Sequence, residues 1–307
     1  MYLYYVMAVL LILAQIGSAE PAQSEFAKTP ELKGPYLGQQ PPGLVPTVFA
    51  PGFVSTDSGH EFSCTFTPDG KEFYFARGTG PGNIKDILVT RLTDQGWTVP
   101  VSILPKFRGE AFEPRVTPDG KQLFFMGFEP KPGQGMPPIN MYCGDRAADT
   151  LANVKPLGEP FNPMKSMFIS FTSDGTIYTT DTKSNGNDIA RSRCLGGVYQ
   201  NYENLGAPIN TENLEMYPFV APDESYLLYT SMIAGRGPAS AKLMVSFKQK
   251  DGSWGVPVVV ELGMRAGSPT VSPDGKYLFF VSGEQRKGDI YWVDFEVVRK
   301  AAGSAKK

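Results

Sequence analysis

Apolar and polar positions along this chain come in short runs, and one sequence of runs recurs five times. An apolar stretch stops at a small polar turn and resumes at once as an aromatic or branched stretch. The turns and the strands after them read Phe66-Thr67-Pro68-Asp69-Gly70-Lys71-Glu72-Phe73-Tyr74-Phe75 and Val116-Thr117-Pro118-Asp119-Gly120-Lys121-Gln122-Leu123-Phe124-Phe125. A third copy is Phe171-Thr172-Ser173-Asp174-Gly175-Thr176-Ile177-Tyr178. The last two are Val220-Ala221-Pro222-Asp223-Glu224-Ser225-Tyr226-Leu227-Leu228-Tyr229 and Val271-Ser272-Pro273-Asp274-Gly275-Lys276-Tyr277-Leu278-Phe279-Phe280. The residue before each Asp falls at 68, 118, 173, 222 and 273, giving spacings of 50, 55, 49 and 51. So even a repeat marks an array of one supersecondary unit.

Pro-Asp-Gly is turn chemistry: Pro presets φ, Asp bonds back to nearby amides, and Gly takes the positive-φ position. Asp69, Asp119, Asp174, Asp223 and Asp274 are therefore read as structural turn residues. Each repeat predicts a strand before the turn, an aromatic-rich strand after it, a Gly-rich loop and a third strand such as Asp289-Ile290-Tyr291-Trp292. A fourth segment carries an aromatic and a Pro in Trp97-Thr98-Val99-Pro100 and Trp254-Gly255-Val256-Pro257. Weaker versions run through Leu157-Gly158-Glu159-Pro160 and Leu205-Gly206-Ala207-Pro208. Four strands in about 50 residues make one propeller blade. The fold expected is all-β: a β-propeller of four-stranded antiparallel blades, five blades with six as the alternative. The fifth repeat ends near Phe295, so its outer strand is expected from the N-terminal side, around Pro46-Thr47-Val48-Phe49-Ala50-Pro51. Such a strand ties the first and last blades together.

With Pro68-Asp69-Gly70, Pro118-Asp119-Gly120, Asp174-Gly175, Pro222-Asp223 and Pro273-Asp274-Gly275 in hand, the chain resembles the TolB-type, WD-like propeller repeats of exported bacterial proteins. The resemblance spans residues 37–295. Ser173 stands where the pattern has Pro, and Glu224 where it has Gly. It is a resemblance to the propeller part of TolB, and it extends neither to TolB's N-terminal α/β domain nor to a sixth blade. It implies an exported propeller and does not imply membership of the Tol–Pal system.

Composition agrees with the pattern. The chain has 307 residues, with 33 Gly and 27 Pro, too many of both for a helix-rich protein. Its 20 Phe, 14 Tyr and 3 Trp are ample for a packed core. A net charge of −2 gives no electrostatic footprint for nucleic acid or an anionic membrane. Residues 2–16 form an apolar run too short for a membrane helix, followed by Gly17-Ser18-Ala19. The expected organisation is a signal peptide over 1–19, an N-terminal extension or linker over 20–43, the propeller over 44–296 and a basic tail over 297–307 with a frayed terminus. This places the protein in the periplasm or outside the cell, without membrane insertion after signal cleavage. No Cys follows Ala19 to suggest a lipid anchor. Cys64 reads as buried. Cys143 and Cys194 occupy similar parts of adjacent repeats, so a bridge between them and free thiols both stay open.

A propeller's site lies at its channel mouth, lined by the start of each innermost strand. Counting back from the turns gives one column, Glu61, Ala111, Ser166, Glu215 and Ala266, and a second, Ser63, Glu113, Phe168, Tyr217 and Ser268. Beside them stand His60, Glu110 and Arg115. These columns vary from blade to blade while the turns repeat. The candidate channel-mouth residues are therefore His60, Glu61, Glu110, Glu113, Arg115, Glu215 and Tyr217. No metal site is expected, since His60 is the single histidine. No cofactor motif is present: the loops Gly78-Thr79-Gly80-Pro81-Gly82 and Gly133-Gln134-Gly135 lack the residues of a phosphate cradle. Nor is there a Gly-x-Ser-x-Gly elbow or a sialidase-type Asp box. Trp97 and Trp254 read as blade packing. Two functions follow. One is a monomeric binding module for a protein or envelope polysaccharide partner. The alternative is a glycoside hydrolase or lyase using channel-mouth carboxylates with Arg115 and Tyr217, a reading in which no catalytic residue is assigned.

Overall fold

The second strand of every repeat is apolar on both faces, so it must be covered on both. The computed structural model shows how. It describes residues 32–79, 84–130, 133, 135, 137–148, 150–163, 166–182, 187–284 and 287–304. The expected leader, its cleavage point after Ala19, part of the Gly78–Gly82 loop and the end of the basic tail lie outside the described residues.

Five four-stranded antiparallel sheets form the blades of a propeller. Blade one runs outward from Gly59–Phe66 through Glu72–Thr79 and Ile84–Thr93 to Val101–Ser102. Blade two is Glu110–Val116, Gln122–Phe128, Asn140–Arg146 and Leu151–Pro156. Blade three is Ser166–Phe171, Ile177–Asp181, Asp188–Ser192 and Glu203–Asn204. Blade four is Leu214–Val220, Tyr226–Met232, Lys242–Phe247 and Val258–Val259. Blade five is Gly267–Val271, Tyr277–Glu284 and Lys287–Asp294, with Thr47–Val48 as its outer strand. Outer strands in blades one and four begin just after the Trp-Pro segments; those of blades two and three end just before the Leu-Gly-x-Pro segments. The segments themselves join the pairing, Trp97 opposite Leu92 and the Leu157 and Leu205 amides donating to the Met141 and Ile189 carbonyls, whereas their Pro residues have no N–H to give a ladder.

Alternate residues of each second strand serve opposite neighbours. Phe73 and Phe75 pack toward blade five, with Phe279 and Trp292, while Tyr74 packs toward blade two, with Leu123 and Phe125. Phe124 faces Ile169 and Ile177 of blade three, and Tyr178 faces Leu227 and Tyr229 of blade four. Leu228 completes the series against Leu278 and Phe280. The core is thus five inter-blade seams.

The ring closes where expected. Thr47 and Val48 pair with Trp292 and Tyr291, and the Phe49 amide donates to the Ile290 carbonyl at 2.8 Å. Phe49 is fully buried among Phe66, Phe73, Phe279 and Trp292, with ring centroids 5.0–6.5 Å away. The closure extends further upstream than the ring-closing strand expected around residues 46–51. Leu37 is completely buried, Tyr36 donates to Asp274 at 2.6 Å, and the Trp97 indole donates to the Gly34 carbonyl. These contacts put part of the 20–43 stretch against blades one and five.

At the other end, Glu296–Ser304 is an α-helix where the sequence suggests a frayed terminus. Asp294 accepts from the Glu296 amide at 2.8 Å, an N-terminal cap. Val297, Val298 and Ala301, spaced for one helix face, pack with Phe295 and Tyr226 in the seam between blades four and five. That buried face orders the segment despite its basic composition.

Candidate functional site at the channel

Each innermost strand carries one bulge. The register with the second strand slips between Phe62 and Cys64, Phe112 and Arg115, Met167 and Ile169, Met216 and Phe219, and Gly267 and Thr270. The bulged residue takes positive φ every time: Ser63 46°, Glu113 55°, Phe168 56°, Tyr217 57°, Ser268 47°. None is glycine, and a left-handed non-glycine residue costs on the order of 1–3 kcal/mol. The strain recurs five times around the axis, where a bulge re-aims its side chain. The Ser268 hydroxyl donates to Glu113 Oε2 at 3.0 Å. Blades five and two are not neighbours, so this contact is made across the channel. Phe168 and Tyr217 pack against each other beside it, their rings tilted by 38° with centroids 3.9 Å apart.

Two residues farther along the same strand, Arg115 is 6% exposed and forms a crossbar. Its Nε donates to the Ile169 carbonyl of blade three at 3.0 Å, and its Nη1 to the Cys64 carbonyl of blade one at 2.7 Å and to Pro114 at 3.0 Å. A cavity lies at each end of the channel. The one at the His60 mouth holds about 390 Å³ and includes Glu113; the one at the turn mouth holds about 310 Å³ and includes Arg115. Burial pushes the Glu113 carboxyl above its usual range, while Arg115 and Ser268 oppose that shift. Cys64, enclosed nearby, has its thiol pushed up to about 12 by burial.

The other candidates are placed differently. Glu61 is fully buried and accepts from the Thr56 amide, the Thr56 hydroxyl and Arg77 Nε, the last at 2.7 Å. Gly59 admits this carboxylate, since a Cβ there would stand 2.3 Å from Glu61 Oε1. Glu215 repeats the device, accepting from the amide and hydroxyl of Thr211 and from Ser231. Both glutamates anchor the loop entering their blade, and neither lines the channel cavities. Glu110 pairs with Lys85 at 2.7 Å, half-buried at the junction of blades one and two. His60 does line the 390 Å³ cavity. Its Nδ1 accepts from the Gly288 amide of blade five at 2.7 Å, its ring stacks on Phe62, and burial lowers its pKa. The structure thus brings His60, Glu113 and Tyr217 together at one cavity, and sets Arg115 beneath them.

Four of the turn aspartates bond both a hydroxyl two residues back and an amide two residues on, and Asp223 bonds the amide alone. Asp69 accepts from the Thr67 hydroxyl at 2.6 Å and the Lys71 amide at 3.1 Å; Asp119 and Asp174 do the same with Thr117 and Lys121, and with Thr172 and Thr176. Asp274 bonds Ser272 and Lys276, and Asp223 bonds the Ser225 amide. At Asp69, Asp119, Asp174 and Asp223 these bonds hold the carboxyl below the usual range; at Asp274 the bonds from Tyr36, Ser272 and Lys276 outweigh burial to the same end. Glu224, in the Gly position, sits at φ 57° and accepts from the Tyr178 hydroxyl across the seam. Sequence reading missed Asn162 and Asn210. Each side-chain amide bonds both N–H and C=O of a preceding blade's third strand, at Met141 and Ile189 respectively. The signal was present in the repeated Leu-Gly-x-Pro-x-Asn. Among the described residues, no three His, Cys, Asp or Glu side chains are placed to hold a metal ion, all three thiols are free, and no helix is long and apolar enough to cross a membrane.

No family model and no curated protein matches the chain. Solved structures do. TolB from Acinetobacter baumannii is 16% identical, with 78% of this chain and 53% of that chain covered and a TM-score of 0.49. The chain therefore spans about half of that TolB. BT0996, in its RGII complex, is 12% identical over 85% of this chain and 92% of the other, with a TM-score of 0.53. The endo-arabinase from Bacteroides thetaiotaomicron VPI-5482 is 12% identical over 79% and 97%, with a TM-score of 0.50. At such identities the likeness is one of propeller fold.

Proposed function

We propose that this chain is an exported binding propeller, of the TolB-like type in its repeat chemistry, that meets a protein or envelope polysaccharide at the His60 mouth of its channel. One observation carries the reading: of the four candidate channel-mouth glutamates, three are committed elsewhere. Glycoside hydrolysis needs two carboxyl groups flanking one bond, roughly 5–9.5 Å apart. Glu61 and Glu215 are each held by three hydrogen bonds in loop anchors, and Glu110 is paired with Lys85. Glu113 alone of the four lines the cavity. A single carboxyl among apolar walls suits recognition better than acid–base work. Export rests on the apolar leader and the Gly17-Ser18-Ala19 site.

The test pairs binding with turnover. The chain is run in native gels containing a panel of polysaccharides, and the same mixtures are assayed for new reducing ends and for the unsaturated ends a lyase leaves. Retarded migration without new ends supports the module. New ends that disappear in Glu113→Gln would overturn it in favour of an enzyme. N-terminal sequencing of the protein recovered from the extracytoplasmic fraction should begin at Glu20; a start at Met1 would remove the cleaved leader.

A further inference from the structure

Three buried glutamates in this protein allow an internal comparison. Glu61 and Glu215, both fully buried, each accept three hydrogen bonds. Glu113, 5% exposed, accepts one well-formed bond, from Ser268. The fully buried Ser63 hydroxyl beside it lies close enough to favour the charged carboxylate but completes no well-formed hydrogen bond. Arg115 favours the charged carboxylate through its own charge, but its Nε and Nη1 hydrogens are bonded to backbone carbonyls. A carboxylate has about four lone-pair sites, and buried acceptors are normally filled. Glu113 is the one of the three that faces an open cavity.

The cavity's other walls say what should fill those sites. Phe62, Met216, Met232 and Val281 line it with apolar surface, and Tyr217 edges its floor. About 390 Å³ is near the lower end of small-molecule sites, roughly 300–1,000 Å³. An anion would be repelled by Glu113. A hydroxyl would bring one donor and no charge. An ammonium brings three donors and the opposite charge, and charge-assisted bonds are about twice as strong as neutral ones. Aromatic faces and thioethers also tolerate a cation. Of the two basic side chains on the wall, Arg265 is turned to the Gly283 carbonyl, and His60 accepts a proton less readily than usual because it is buried.

We propose that the His60-mouth cavity binds a protonated amine on a compact apolar stem, with Glu113 accepting the ammonium hydrogens. The amine is either a free small molecule or one carried by a partner, as on a lysine side chain. The proposal deepens the binding reading above and rests on it.

Isothermal titration of the full chain with 2-phenylethylammonium, 2-phenylethanol and phenylacetate tests it, with Nα-acetyl-lysine methylamide standing for a carried amine. The ammonium should bind at least about tenfold more tightly than the alcohol, a gap of about 1.4 kcal/mol, and phenylacetate should give no heat. Glu113→Gln should level ammonium and alcohol while keeping the wild-type circular dichroism spectrum. Glu212→Gln, at an exposed position, should leave the preference intact. Binding of the lysine derivative as tight as the aryl ammonium identifies a carried amine; binding of the aryl ammonium alone identifies a free one. Equal affinity for ammonium and alcohol, or no ammonium binding tighter than about 1 mM, overturns the proposal. Gel retardation by polysaccharide that persists in that case would leave the binding reading standing without it.

Discussion

Arg115 offers the sharpest test of how the channel is held. Arg115→Met keeps most of the apolar stem and removes the guanidinium. Two of its three hydrogen bonds reach other blades, to Cys64 and Ile169, and all lie in a buried setting. A hydrogen bond to a charged group is worth about 1.5–3 kcal/mol, and losing the donor leaves a buried carbonyl short of a partner. The two cross-blade bonds therefore set an expected loss of about 3–6 kcal/mol. For a domain of this size each kcal/mol moves Tm by about 2–4 °C, so the melting temperature should fall by roughly 6–24 °C. The assay is thermal unfolding followed by circular dichroism, with Arg115→Lys beside it. Lysine keeps the charge but cannot span two carbonyls as a planar fork, so it should recover only part of the loss. Combining Arg115→Met with Glu113→Gln should cost less than the sum of the single changes, because the guanidinium's charge opposes the cost of burying Glu113. A Tm loss below about 3 °C for Arg115→Met would refute the crossbar.

The other expectations can be checked on the same preparations. Glu113 has its pKa raised by burial, so its contribution to stability is fully present below the unfolded value of about 4.3 and is lost as pH rises through the folded value. Glu113→Gln should therefore gain stability relative to wild type as pH rises from about 4, read as the difference between two Tm-against-pH curves; a constant difference would refute it. Phe49→Ala should cost about 3–5 kcal/mol by urea unfolding, because a fully buried ring is removed from among four others. Val45→Ala, at a position 74% exposed just outside that seam, should stay within about 0.5 kcal/mol. Asn210→Ala should cost about 1–3 kcal/mol by the same measurement, since it strips the Ile189 amide of its acceptor; no loss would mean that the side-chain bridge between blades three and four is dispensable.

The fold could be read from the chain because its determinants are local. An Asp that bonds the amide two residues on closes a turn locally, with a hydroxyl two residues back adding a second bond in every copy except Asp223, where Ala221 stands there; five such turns set the blade count. The same turns served as rulers: counting back from them reached Ser63, Glu113, Phe168, Tyr217 and Ser268, the residues that occupy the bulges. Which carboxylates face the channel could not be counted in this way. Glu61 and Glu215 are turned aside by Thr56 and Thr211, which lie in entry loops where no pattern repeats in every blade, and by Arg77 from the next strand. A Thr four or five residues before the Glu is the one trace of this in the sequence. The C-terminal helix was obscured for a different reason. Its basic residues dominate the composition, whereas the spacing of Val297, Val298 and Ala301 decides its burial.

The bulges connect repetition to specificity. A propeller built from one repeated blade would present the same side chain five times at its axis, and such a surface favours no particular ligand. Here the backbone is repeated, with φ between 46° and 57° in all five blades, while the side chain at that position is Ser, Glu, Phe, Tyr and Ser. Because a left-handed residue is disfavoured for every side chain except glycine, the conformation must be imposed by the surrounding sheet rather than chosen by the residue. The identity of the residue is then free to vary without moving the backbone. Glu113 can sit among aromatic and hydroxyl neighbours for this reason, and two serines, Ser63 in the adjacent blade and Ser268 across the channel, keep the carboxylate from being sealed by bulk. Replacing Ser268 by Leu would put that reasoning under strain: it should remove the hydrogen bond to Glu113, close the cavity floor and abolish ammonium binding while leaving the blade seams intact. A Ser268→Leu protein that binds the ammonium like wild type would show that the bulge column does not form the floor of the site.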